Sequence, residues 1–260
     1  MTKKILKISF IISTVILMCS CGQKSDMKKE EDELIQLEKE ESEQFDETFK
    51  NLIHSNPATM DYPFSKLQGD RIVLLESSDK NVRIYSYHTH VCLNGCAYNL
   101  FQFRSNGKIF TADQLWFHEY YCWDNHGQPE YISDIKTLVN NNKTYYLIFA
   151  GKYNCGDYGE SEFGVTAFSI ENNMLKTAPI FKISDKILPN IFICAIIDNG
   201  AYDESDYTFF YDEKEKILFV PETTKGLHNS SPYIDDSSWL TGKWIKYQFI
   251  DSCFQICEGG

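Results

Sequence analysis

The sequence predicts a mainly β fold: an antiparallel meander of hairpins, propeller-like with a β-sandwich as the alternative, preceded by one N-terminal helix. Three observations predict it. Asn106-Gly107 stands between the β-rich runs Tyr98 to Arg104 and Lys108 to Thr111, and this dipeptide is the strongest short hairpin signal because both central residues of a type I′ turn need positive φ. Similar paired runs recur at spacings of about 30 to 45 residues, the range in which propeller blades occur. After Ile53 the apolar pattern keeps a period near two rather than 3.6.

The chain opens with Lys3, Lys4 and Lys7, then an apolar run from Ile8 to Met18, then Cys19-Ser20-Cys21. That order is a signal peptide, and its apolar run is shorter than the roughly 20 residues a spanning helix needs. Cys21 follows a short apolar run and a small residue, which resembles a bacterial lipobox. The resemblance implies cleavage before Cys21 and a diacylglycerol on its thiol, with ordinary secretion after Ser20 as the alternative. Residues 1–20 are therefore expected to leave, 21–57 to form an acidic tether and helix, and 58–260 to form a single β-rich domain.

The charge excludes one class of partner. Twenty-five basic and 37 acidic residues become 22 and 37 once the three signal-peptide lysines are gone, a net charge of −15. No Lys or Arg cluster stands ready to neutralise phosphates, so nucleic acid is not an expected partner. The same balance disfavours broad adsorption to anionic lipid, which leaves the acyl group as the membrane anchor. Aromatic residues make up 15% of the chain, enough to place some of them in exposed clusters that bind.

Between Gly22 and Lys50 lie eleven acids and five lysines. Its first half has too little apolar surface to fold alone and reads as a flexible tether. Leu34, Leu37, Phe45, Phe49, Leu52 and Ile53 then recur at helical spacing, and Asn56-Pro57 ends the helix. From Arg71 the hairpins begin. Arg71 to Ser77 and Val82 to His88 flank Ser78 to Asn81; Asp134 to Val139 and Thr144 to Ala150 flank an Asn-rich turn. Phe163 to Ile170 and Leu175 to Ile183 flank Asn172-Asn173, Tyr207 to Tyr211 and Ile217 to Val220 flank Asp212 to Lys216, and Trp239 to Ile250 closes the series.

Candidate chemistry lies in the interruptions. Leu115 to Tyr131 carries Trp116, Tyr120, Tyr121 and Trp123, rings that could stack on sugar faces or anchor a protein interface. His88, His90, Cys92 and Cys96 are the densest set of metal-ligand types, and His118, Cys122 and His126 a second, but neither spacing matches an established zinc pattern. A disulfide-stapled loop with bystander histidines accounts for the first set better, so no metal and no other cofactor is expected. Seven cysteines remain after Cys19 and Cys21: Cys92, Cys96, Cys122, Cys155, Cys194, Cys253 and Cys257. An oxidising compartment predicts that fewer than seven are free thiols, and Cys194, inside an apolar run, is expected to stay unpaired.

Hydrolase readings are weaker. Asp235-Asp236, or Asp157 with Glu160, could serve a glycosidase, and Cys122 between His118 and His126 a thiol enzyme; no Gly-x-Ser-x-Gly elbow occurs. Asp198, Asn199, Asp203 and Asp206 around Gly200 lack the order of a calcium loop.

Two resemblances complete the reading. Ser77-Ser78-Asp79-Lys80-Asn81 resembles the Asp-box turn of sialidase-type propellers, with Asn81 where that family has glycine. Tyr62-Pro63-Phe64, Ser78-Asp79, Arg83 to Ser86, Phe101 to Phe103, Lys143 to Leu147 and Leu218 to Pro221 together are similar to uncharacterised lipoproteins of Gram-negative gut bacteria. That second resemblance implies an outer membrane lipoprotein facing the periplasm or the cell surface, and a β-rich fold. It implies no activity. The expected function is ligand or partner binding by a lipid-anchored β-domain, with an extracytoplasmic glycosidase-like hydrolase as the alternative.

Overall fold

The structure is a computed structural model, and it describes residues 26–40, 42, 44–68, 72–88, 97–113, 131–153, 160–196, 208–224 and 239–257. The chain divides into two compact units, Met1–Ile72 and Val73–Gly260.

Among the described residues the first unit contains two α-helices where the sequence reading expected one. Helix α1 covers residues 26–39, spanning much of the stretch expected to be a flexible tether together with Leu34 and Leu37, the first two residues of the expected helical stripe. Its inward stripe is short: Met27, Glu31 and Leu34, at positions i, i+4 and i+7, are all buried. One of the three is an acid, which is why composition concealed the first turns of the helix. The Glu31 carboxylate accepts from the Tyr62 hydroxyl at 2.7 Å and from the Lys66 backbone N–H at 2.8 Å, bonds that offset its desolvation. Burial, followed by the Glu31 contact, pushes the Tyr62 phenol up to about 12.

Helix α2 (Gln44–Ser55) buries Phe45, Phe49, Leu52 and Ile53, the stripe the spacing anticipated. Phe49 stacks on Phe45 and meets the edge of Phe64, with centroids 5.8 Å apart in both pairs. The helix stops where a 3₁₀ turn, Pro57–Asp61, begins. Asn56 caps that turn, its side chain accepting from the Ala58 N–H at 3.0 Å, and Pro57 occupies a first-turn position that needs no N–H.

The strands, in chain order, are β1 (Ile72–Glu76), β2 (Val82–His88), β3 (Ala97–Ser105), β4 (Lys108–Asp113), β5 (Tyr131–Asn140), β6 (Lys143–Tyr153), β7 (Glu160–Glu171), β8 (Met174–Thr177), β9 (Phe181–Ile183), β10 (Lys186–Leu188), β11 (Asn190–Ile196), β12 (Phe210–Asp212), β13 (Ile217–Thr223), β14 (Leu240–Ile250) and β15 (Cys253–Ile256). They form three sheets. The first is the meander β1-β2-β3-β4; the second runs β11-β7-β6-β5 with β8 added on β7; the third runs β10-β9-β15-β14-β13-β12. From β2 onward pairing is antiparallel except between β15 and β9.

Alternation along the middle sheet explains the packing. Tyr146, Ile148 and Phe168 point to one side, into a core shared with Val82, Ile84, Phe101 and Phe103 of the first sheet. Leu147, Phe149, Val165 and Ala167 point to the other, into a core shared with Phe181, Leu218, Val220, Tyr247 and Phe254 of the third. The second sheet is thus buried on both faces, and a side chain so buried contributes about 1.5–3 kcal/mol. A bulge at Ser133 shifts the β5 register between Ile132 and Asp134, so that Ile132 and Ile135, three residues apart, enter the same core.

The run expected as one strand from Leu175 to Ile183 is two. Pro179 has no N–H to give a ladder, and there the chain crosses between sheets: Ala178 N–H donates to Ala167 in the second, Ile180 N–H to Leu188 in the third. Gly164 is fixed by close approach, because a Cβ there would lie 2.7 Å from the Ile191 carbonyl oxygen and 2.8 Å from the Phe192 Cβ on β11.

Candidate functional site

Strand directions sort the connections of the second unit onto two opposite ends. At one end sit the tight turns that join β3 to β4, β5 to β6, β7 to β8 and β14 to β15, whereas the two-residue β9–β10 turn faces the other way because β9 runs parallel to β15. Both central residues have positive φ at Asn106-Gly107, Asn141-Asn142, Asn172-Asn173 and Asp251-Ser252, as type I′ geometry requires. These tips touch: Asn106 Nδ2 donates to Asn173 Oδ1 at 3.0 Å, Asn140 Nδ2 to Ser252 Oγ at 3.4 Å, and Lys216 Nζ to the Val139 carbonyl at 3.3 Å.

The β1–β2 turn belongs to the same end, and it is the Asp-box-like stretch. Ser77 Oγ donates to Asp79 Oδ1 at 2.7 Å and accepts from the Val82 N–H at 2.9 Å; the Asn81 backbone and side chain donate to Asp79 at 3.0 and 2.9 Å. Tyr146 of β6 then reaches across from the second sheet and donates its hydroxyl to Asp79 Oδ2 at 3.0 Å. Burial raises the Asp79 carboxyl, but the bonds from Ser77, Asn81 and Tyr146 more than offset it, and its pKa lies below the ordinary value. Burial, with the adjacent carboxylate, pushes the Tyr146 phenol upward. This is a latch between sheets, built on an Asp79 that is itself exposed at the turn.

The other end is the candidate site. His88↔Ala97 is the last pair of β2 and β3, Tyr131↔Gly151 the first of β5 with β6, Tyr153↔Ser161 and Ile196↔Glu160 the last on β7, and Thr223↔Leu240 the last of β13 with β14. From this end leave the five longest connections, 89–96, 114–130, 154–159, 197–209 and 224–239. Long connections on a rigid β-scaffold are the usual seat of binding.

Almost every chemistry-bearing residue singled out in the sequence belongs to these connections. Trp116, Tyr120, Tyr121 and Trp123, with His118, Cys122 and His126, belong to the β4–β5 connection; His90, Cys92 and Cys96 to the β2–β3 connection; Cys155 and Asp157 to the next; Asp198, Asn199, Asp203 and Asp206 to the β11–β12 connection; Asp235 and Asp236 to the last. All of these, and Cys21, lie outside the described residues. His88 ends β2, Glu160 begins β7 and Cys194 lies in β11 opposite Glu162. Among the described residues no group of three His, Cys, Asp or Glu converges as a metal site, and no helix is long and apolar enough to cross a membrane.

Cys253 is buried and Cys257 half-buried, and both carry free thiols. Four residues apart along one extended segment, they stand roughly 13 Å apart and cannot bridge to each other. Sequence reasoning missed Tyr146 as the partner of Asp79. It also passed over Trp239 and Trp244, which are exposed on the third sheet; the only signal was their place in the Trp239 to Ile250 run. No known protein family, curated protein or solved structure matches the chain.

Proposed function

We propose that the protein is a lipid-anchored extracytoplasmic β-domain that binds a glycan or protein ligand at the end from which the long connections leave. One observation carries the reading: six of the short turns leave one end, several of them bonded to one another, while the five long connections, whose sequence includes Trp116, Tyr120, Tyr121 and Trp123, leave the other. The burial of the second sheet on both faces supports a propeller-like stack over a two-layer sandwich, in which each sheet has an outer face. Attachment through a diacylglycerol on Cys21 rests on the Lys3 to Cys21 pattern, and its place at the outer membrane on the resemblance to lipoproteins of Gram-negative bacteria. No cofactor and no nucleic acid enters this reading.

Two experiments test it. Mass spectrometry of membrane-extracted protein is expected to find Cys21 acylated at the mature N-terminus, and a soluble, unacylated wild type would remove the anchor. Glycan-array and pull-down screens are expected to give a ligand whose retention is lost when Trp116, Tyr120, Tyr121 and Trp123 are all replaced by serine. Retention unchanged by that replacement would move the site elsewhere.

A further inference from the structure

We infer that the outer face of β14, running away from the long-connection end, is a binding strip for a linear anionic polysaccharide; this rests on the ligand-binding reading above and assigns the ligand's chemical class. The inward face of β14 belongs to the core through Leu240 and Tyr247, with Ile245 and Phe249 packed against it. The outward side carries Trp244 and Lys246, and Trp239 stands exposed just before the strand. Gly242 has φ of +74°, and the partner register jumps from Pro221↔Trp244 to Thr223↔Leu240. The resulting bulge leaves Lys243 exposed beside Trp244.

The strip is preorganised. Trp239 is pinned at its base by two bonds with Thr224, at 3.1 and 2.9 Å. Lys246 Nζ sits 5.8 Å from the centroid of Phe219, which is itself stacked on Phe210 at 4.7 Å, so the ammonium stands over a fixed ring.

Charge selects the ligand's sign. From Trp239 to Ile250 there is no Asp or Glu, in a chain with 37 of them against 25 bases. Lys243 and Lys246 are thus the charges that the strand itself carries, and the carboxylate beside it, Glu222 on β13, accepts from Thr241 Oγ1 at 2.6 Å. Indole faces match the C–H faces of pyranose rings, and ammonium groups match carboxylates at the rim. Dimension selects the shape: from Trp239 to Lys246 an extended strand spans roughly 20 Å at one strand's width. The neighbouring β12–β13 turn presents exposed Glu213 and Glu215, which a flat anionic bilayer would meet at the same time. A chain-like ligand following β14 avoids them.

The test uses the full chain in affinity electrophoresis against polygalacturonate, with uncharged dextran alongside. Polygalacturonate is expected to retard the protein, less so as NaCl is raised about tenfold, and dextran not to. The Lys243→Gln/Lys246→Gln pair and Trp244→Ala are each expected to weaken retardation by about tenfold or more while keeping the wild-type melting temperature. Equal retardation of wild type and variants, equal retardation by dextran, or no retardation by polygalacturonate overturns the inference. So does retention confined to phosphatidylglycerol vesicles or to single-stranded DNA. If the strip variants bind like wild type while the Trp116/Tyr120/Tyr121/Trp123 replacement does not, the strip fails and the loop site stands; the reverse result sinks the loop site and keeps the strip.

Discussion

The two ends of the stacked sheets differ in how their connections are built. At the tight-turn end the connecting residues are mostly Asn, Asp, Gly and Ser in left-handed conformations, held by bonds that pass between sheets. At the opposite end the connections are long and rich in Trp, Tyr, His and Cys. Short turns with strict φ requirements register the strands, and long ones are released from that duty. The division teaches where stability should respond to mutation and where binding should.

Changes at four places break or sharpen that contrast, taken from the largest effect down. Phe254 lies on β15 just inside the tight-turn end, fully buried, stacked on Phe181 at 5.4 Å and meeting the edges of Phe249 at 5.1 Å and Tyr211 at 5.9 Å. Phe254→Ala is expected to cost about 3–5 kcal/mol in urea unfolding; a loss no larger than that of a surface change would remove β15 from the core.

Asp79→Ala should cost about 1–3 kcal/mol, because it leaves the buried Tyr146 hydroxyl without its acceptor. The same latch has a pH signature. The Asp79 carboxyl is depressed in the folded chain, so its contribution is present above the ordinary Asp range and is lost as pH falls through the folded value. Wild type should therefore lose stability on acidification faster than Asp79→Asn, and parallel pH profiles would contradict the latch.

Gly107→Ala isolates backbone from packing. An added Cβ meets nothing within 4 Å, yet φ is +72°, so the expected loss of about 1–2 kcal/mol comes from conformation alone. At the other end, Trp116→Ser with Trp123→Ser is expected to change stability by less than about 0.5 kcal/mol. A thermal melt showing a multi-kcal loss would make those rings core residues and erase the contrast between the ends.

Much of the sheet framework was legible, and its failures have local causes. Asn106-Gly107 and Asn172-Asn173 announced their turns because few residues tolerate paired positive φ. The first turns of helix α1 were concealed because its inward stripe uses Glu31, whose desolvation is offset by Tyr62 and Lys66 from far along the chain. The split at Pro179 and the four-residue β15 depend on which sheet receives them, a tertiary matter that period-two alternation does not carry. Of the candidate site, the sequence displayed the residue types. It did not display that the β2–β3, β4–β5 and β13–β14 connections depart from one end, because that follows from pairing direction alone.

The position of β15 has a kinetic consequence. It is the inner strand that joins β9 to β14, and Phe254↔Phe181 is the pair that links the two halves of the third sheet. Forming that pair closes a loop from Phe181 to Phe254, an entropic cost of roughly 4 kcal/mol on logarithmic loop scaling. Before it forms, β9 and β14 each present an unpaired ladder, the kind of edge that captures strands from other molecules. Until β15 docks, a slot the width of one strand is open between β9 and β14, and its closure rests on a strand of four residues, Cys253–Ile256.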